Sequence, residues 1–177
     1  MRLIIITLCL LANSSNLAAV ELFGLKLADS SQKELRDAAK KSGVVLIRES
    51  DESLWFDSYD SSSVLPGSSR LYLGFVRQDQ RFAFAEYEFV GLKHNRILAR
   101  LSQKYGSGQR SRGRFLSDQE YRWQQDGIQI TFKTDWQNYR TRLSYTSPTA
   151  LKQLKKEKLD AEQKKVEENS AQTSSIF

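Results

Sequence analysis

The chain has 177 residues, a formal net charge of +6 and 40% hydrophobic residues. It is long enough for one compact domain or two small fused units. A single cysteine, Cys9, and a single histidine, His94, leave no spare parts for a disulfide framework, a His-rich metal site or a conventional Ser-His-Asp triad.

The N-terminus reads as a secretory leader. Arg2 precedes an apolar run from Leu3 to Leu11, and small and polar residues end in Ala18-Ala19. The run is well short of the roughly 20 residues of a membrane-spanning helix, so residues 1–19 are expected to be removed, leaving no integral membrane segment. Cleavage would also remove Cys9, which fits a periplasmic or secreted address. The charge is uneven: Val20–Leu92 carries −3, Lys93–Pro148 carries +7 and Thr149–Phe177 carries +1.

Leu22–Leu27 reads as a short strand. Ser31-Gln32-Lys33-Glu34 has the form of a capping box opening a helix, with Leu35, Ala38 and Ala39 on its apolar face and Gly43 as its stop. Val44–Arg48 and Leu54–Tyr59 read as strands, followed by a Ser-rich loop and Pro66-Gly67. Leu71–Val76 and Phe82–Phe89 alternate around the polar turn Arg77–Arg81 and predict an antiparallel hairpin.

The second helix carries Ile97, Leu98, Leu101 and Tyr105 on one face and ends at Gly106. A glycine- and arginine-rich loop, KYGSGQRSRGRF, follows. Glu120–Gln125 and Ile128–Phe132 flank Asp126-Gly127, a strong two-residue hairpin signal. The turn predicts that Trp123 faces Ile130 and Tyr121 faces Phe132 on the apolar side, with Arg122 opposite Thr131 on the other. Arg140–Tyr145 alternates again, with Thr141, Leu143 and Tyr145 inward. Pro148 opens a final helix, docked near Leu151–Leu154 and solvated beyond about Leu159.

The order helix-then-meander occurs twice. The expected fold is α+β: two similar helix-plus-antiparallel-meander units, residues 20–90 and 91–148, share one sheet with helices on one face. A charged C-terminal helix (149–168) and a disordered tail (169–177) complete the chain.

The words LFGLKL, ELRDAAKKSG, WFDSYD, LPGSSRLYLGF and FAFAEYEF, and KYG followed by YRW, resemble an uncharacterised secreted proteobacterial protein family. The doubled helix-plus-meander is similar to the β-lactamase-inhibitor-protein arrangement and to the small lipoprotein of the outer-membrane assembly machinery. At the level of fold, that resemblance implies a protein-binding scaffold with no catalytic residues to carry over.

The glycines of KYGSGQRSRGRF follow a helix, so the stretch fits neither a dinucleotide fingerprint nor a P-loop. It is either a plain connector or an anion-binding loop presenting Arg110, Arg112 and Arg114. Arg122, Arg140 and Arg142 would extend a basic patch across the outward sheet face. The patch would suit an envelope protein or an anionic envelope polymer, because a periplasmic address removes nucleic acid.

Asp57 and Asp60 are expected to cap and turn the chain, and Trp55, Phe56 and Tyr59 to pack in the core. Glu86 and Glu88 should pair with basic neighbours, and His94 should lie on the surface. No metal or cofactor is implied. The leading expectation is a non-catalytic binding or accessory protein of the envelope. The alternatives are a small envelope hydrolase using carboxylates and a structural protein self-associating through its C-terminal helix. The exported protein is expected to begin near Val20. N-terminal sequencing that finds Met1 retained in the membrane fraction overturns this.

Overall fold

The computed structural model describes residues 19–174, except 52, 93 and 113–117. The predicted leader therefore lies outside the described residues, apart from Ala19. The chain folds as β1 (Glu21–Leu22), β2 (Leu25–Lys26), α1 (Gln32–Lys41), β3 (Val45–Arg48), β4 (Asp57–Asp60), β5 (Ser68–Phe75) and β6 (Phe82–Val90). The second half supplies α2 (Asn95–Tyr105), β7 (Gln109–Arg112), β8 (Gln119–Gln125), β9 (Ile128–Asp135), β10 (Arg140–Thr146) and α3 (Pro148–Ser174).

Eight strands form one antiparallel sheet in the order β3-β4-β5-β6-β10-β9-β8-β7. Each half is a helix followed by a four-stranded meander, and the halves meet through their last strands. The expected α+β fold is the observed one. Three details differ. Leu22–Leu27 is a separate two-stranded ribbon turning at Phe23-Gly24. Trp55 and Phe56 precede β4, where a strand was expected. The last helix continues to Ser174, into the stretch expected to be disordered.

Local chemistry sets the ends of α1. Ser31 Oγ accepts from the Glu34 amide at 3.4 Å and the Ser31 amide donates to Glu34 Oε2 at 2.9 Å, so the capping box forms as spelled. The Asp126-Gly127 turn sets the β8–β9 register, pairing Trp123 with Ile130, Tyr121 with Phe132 and Arg122 with Thr131.

Side-chain parity then carries through the middle of the sheet, with register shifts at both ends of the β5–β6 pairing and in β3–β4. One row on the helix-covered face reads Tyr59, Leu71, Tyr87, Leu143, Phe132, Tyr121 and Arg110. The next reads Asp57, Leu73, Ala85, Tyr145, Ile130 and Trp123. Leu35 and Ala39 of α1 and Leu101 of α2 close over these rows to make the main core.

The opposite face is polar except at one end. There Ala150 and Leu154 of α3 bury against Val76 and Ala83, with Trp55, Phe84 and Leu151 around them. The helix also clasps the β5–β6 turn: the Arg77 amide donates to Glu157 Oε2 at 2.8 Å, and the Arg77 guanidinium lies 3.6 Å over the Trp55 ring. Past this clasp the helix is solvated, with Leu159 and Val166 exposed as expected.

Gly108 lies in the stretch expected to be a loop, and a Cβ there would lie 2.6 Å from the Trp123 indole. The ring packs on the glycine backbone and donates from Nε1 to the Gly106 carbonyl at 2.8 Å. Trp123→Ala should therefore cost about 3–5 kcal/mol, the usual range for truncating a buried aromatic. Urea unfolding measures the loss, and a wild-type midpoint would show that the Trp123–Ile130 pair does not hold the second meander.

Candidate functional site

Of the six arginines of the expected basic patch, the four with described side chains divide between the two faces of the sheet. Gln109–Arg112 is an edge strand paired with β8, where a loop was expected. Arg110 lies in register with Tyr121, on the helix-covered side, with its guanidinium 5.9 Å from that ring. Arg112 pairs in backbone register with Gln119; its side chain, and Arg114 entirely, lie outside the described residues.

Arg122, Arg140 and Arg142 do share the opposite, polar face, but each is already committed. Arg122 pairs with Glu120, which Lys133 also approaches at 4.0 Å. Arg140 pairs with Glu88, and Arg142 reaches Glu86 at 3.5 Å and Glu88 at 3.9 Å. Ser144 Oγ donates to Glu86 Oε2 at 2.8 Å. Four cations, Arg122, Lys133, Arg140 and Arg142, here stand among three carboxylates, Glu86, Glu88 and Glu120, in a charge ladder.

The carboxylates do not converge either. Glu86 and Glu88 lie on the polar face, paired with basic neighbours as expected. Asp57 lies on the other face, fully buried, and here the structure corrects its expected capping role. Its carboxylate takes two parallel hydrogen bonds from Arg36, Nε to Oδ2 and Nη2 to Oδ1, each 2.7 Å, and one from the Ser50 amide at 2.7 Å. It pins α1 to the sheet. Asp60 accepts from the Ser62 amide at 2.9 Å, the expected turn role. Tyr59 is core, while Trp55 and Phe56 are half-buried on the α3 side. His94 is half-buried, with its ring 5.0 Å from Phe89 and Nε2 3.1 Å from the Val90 carbonyl. Among the described residues, no cluster of His, Cys, Asp and Glu could hold a metal ion, and no helix is long and apolar enough to cross a membrane.

The feature that stands apart is a cleft beneath α2, of about 290 Å³, near the lower end of small-molecule sites at about 300–1,000 Å³. Ile97, Leu101 and Tyr105 of α2 form one wall, the ribbon residues Leu22 and Phe23 another, and Val64 and Leu65 a third. Tyr87, Leu143 and Tyr145 supply its sheet side, and Arg100, Lys104 and Glu21 stand among its lining residues.

The tyrosines are the telling part. Tyr87 and Tyr145 are 4% and 7% exposed. Among the described residues no group hydrogen-bonds either hydroxyl, yet no sealed side-chain polar atom lacks a partner. The two hydroxyls must therefore open onto the cleft. Burial pushes the ionisation of both phenols well up, reinforced at Tyr145 by the neighbouring Tyr105 and Tyr87. Both are neutral and able to donate or accept.

The ribbon wall carries backbone strain. Phe23 and Gly24 have φ of 54° and 78°, the left-handed pair of a tight hairpin turn that normally takes Asn-Gly. A bulky residue there is an outlier, and its ring lines the cleft and packs on the core edge.

Sequence reasoning passed over this site. The available signal was Arg100 and Lys104, one turn apart beside the apolar stripe of α2. A second was the pair of polar-tipped tyrosines at inward positions of strands that turn out to be neighbours.

No protein-family model matches the chain, and no curated protein is similar to it. A solved structure, a DUF4309 family protein (YjgB) from Bacillus subtilis subsp. subtilis str. 168, is similar over 70% of this chain and 82% of that chain, with 13% identity and a TM-score of 0.44. A likeness of that size leaves the family open.

The arginine ladder makes its own prediction. Arg140→Ala with Arg142→Ala would leave Glu88, only 6% exposed, with the Tyr72 hydroxyl at 3.5 Å as its remaining side-chain partner. The arginines are half exposed, which discounts the pairs, so a loss of about 1–3 kcal/mol is expected from the stranded carboxylate. Chemical denaturation checks it. Unchanged stability with weaker retention on an anionic matrix would return these arginines to a binding role.

Proposed function

We propose that the protein is a non-catalytic binding protein of the bacterial envelope that holds a small apolar ligand in the cleft beneath α2. The observation that carries this reading is the open cleft with two tyrosine hydroxyls that, among the described residues, no protein group hydrogen-bonds, where no sealed side-chain polar atom lacks a partner. Two nearly buried hydroxyls that open onto a cleft keep hydrogen-bonding capacity for whatever displaces the water there. The leader-like N-terminus supports an envelope address. The paired state of Arg122, Arg140 and Arg142 moves the expected binding function away from the sheet face and onto α2.

A neutral dye separates this reading from its rivals. Phenylnaphthylamine, which fluoresces in apolar surroundings, should bind the purified protein with saturable emission. Ile97→Trp should fill the cleft and abolish that signal while the far-ultraviolet circular dichroism stays that of the parent. Dye that binds the variant as well as the parent sits elsewhere, and the cleft is then not the site.

A further inference from the structure

If the cleft is a binding site, as proposed above, its two chemically distinct regions specify what it takes. The mouth is cationic. Arg100 and Lys104 are exposed one turn apart on α2, and among the described residues neither is ion-paired. Lys104 lies 5.3 Å over the Tyr105 ring, which holds its ammonium close to the lining. Glu21 is the carboxylate among the lining residues, so the rim keeps a positive balance. Two neighbouring cations at an apolar mouth favour one anionic head, and Arg offers it a forked pair of donors.

The interior is apolar except at the tyrosines: Tyr87 and Tyr145 from the sheet side, with Tyr105 of α2 beside Tyr145. In the free protein, water can meet those hydroxyls. A ligand that enters must displace this water. A plain alkyl end would leave both hydroxyls without partners, whereas an oxygen placed there would restore the bonds. Apolar lining alone discriminates weakly between similar hydrocarbons, while a site built to hydrogen-bond an oxygen rejects the analogue that lacks it.

We propose that the cleft takes an apolar monoanion bearing a hydrogen-bonding oxygen at the end remote from its acid group. The acid stays at the mouth with Arg100 and Lys104, and the remote hydroxyl or carbonyl oxygen meets Tyr87 and Tyr145. A medium-chain carboxylic acid hydroxylated at its far end is the simplest member of this class.

Four probes of one chain length test it by titration calorimetry on the full chain: decanoic acid, its ω-hydroxy derivative, decanol and decyltrimethylammonium. The hydroxy acid should bind tightest, decanoic acid about tenfold more weakly, and the cationic surfactant weakest of all. Arg100→Glu with Lys104→Glu should erase the preference for acid over alcohol. Tyr87→Phe with Tyr145→Phe should bring the two acids to equal affinity. Because neither hydroxyl has a protein partner to lose, the double phenylalanine variant should melt at or above the parent, which separates a ligand contact from a structural role.

Failure of all four probes to bind would overturn the cleft as a binding site and with it the proposed function. Equal binding of all four would keep the cleft and overturn the assignment of its ends. A hydroxyl preference that survives the phenylalanine substitutions would overturn the role of the two tyrosines.

Discussion

The pairing of β6 with β10, from Phe84–Thr146 to Val90–Arg140, is the contact on which the rest of the molecule depends. Each half of the chain ends its meander at this seam, so the strand order reads inward from both edges. The seam carries the core rows across: Tyr87 meets Leu143 on the helix side, while Ala85 meets Tyr145. On the polar side it sets Glu88 against Arg142 and Glu86 against Ser144. A slip of one residue would exchange the two faces, driving Glu86 and Glu88 into the core and the tyrosines into water.

That seam also explains the uneven charge of the sequence. The first half is mildly acidic and the second strongly basic, which in isolation suggests a surface for an external anion. Across the seam, carboxylates of the acidic half meet guanidiniums of the basic half, Glu88 with Arg140 over a separation of 52 residues. Two of the eleven cations of Lys93–Pro148, Arg140 and Arg142, are thus answered by carboxylates of the acidic half. Such pairs contribute modestly where exposed, but Glu88 is nearly buried, and like charges in a wrong register would cost more than the right pairs contribute. The asymmetry acts as a register device as well as a source of stability.

What could be read from the sequence was what neighbours in the chain determine. The capping box at Ser31, the stop at Gly106, the Asp126-Gly127 turn and the inward parity of Trp123, Leu143 and Tyr145 all follow from spacings of two to four residues. The misread features depend on distant segments. The packing on Gly108 was hidden because the indole that presses on it belongs to β8. Asp57 looked like a cap because Arg36 reaches it from α1, 21 residues earlier. The cleft has only a partial local signature, Arg100 and Lys104 on α2, since its walls come from a ribbon, a helix, a loop and two strands.

The two halves repeat the same plan with different tightness, and the difference places the site. In the first half, α1 has a reciprocal cap, buries Leu35 and Ala39, and is held to β4 by the bidentate Arg36–Asp57 pair. In the second, α2 begins at His94 with no side-chain cap, buries only Leu101 and, among the described residues, has no such pair to the sheet. Where α1 is sealed down, α2 stands over an open cleft walled by a strained two-residue turn. Binding elements come from the less stable parts of a fold, because a segment that must admit a ligand cannot also be fully packed. The β6–β10 seam fixes the positions of Tyr87 and Tyr145, and α2 supplies Arg100 and Lys104. The duplicated unit thus anchors the sheet with one helix and leaves the other standing over an open cleft.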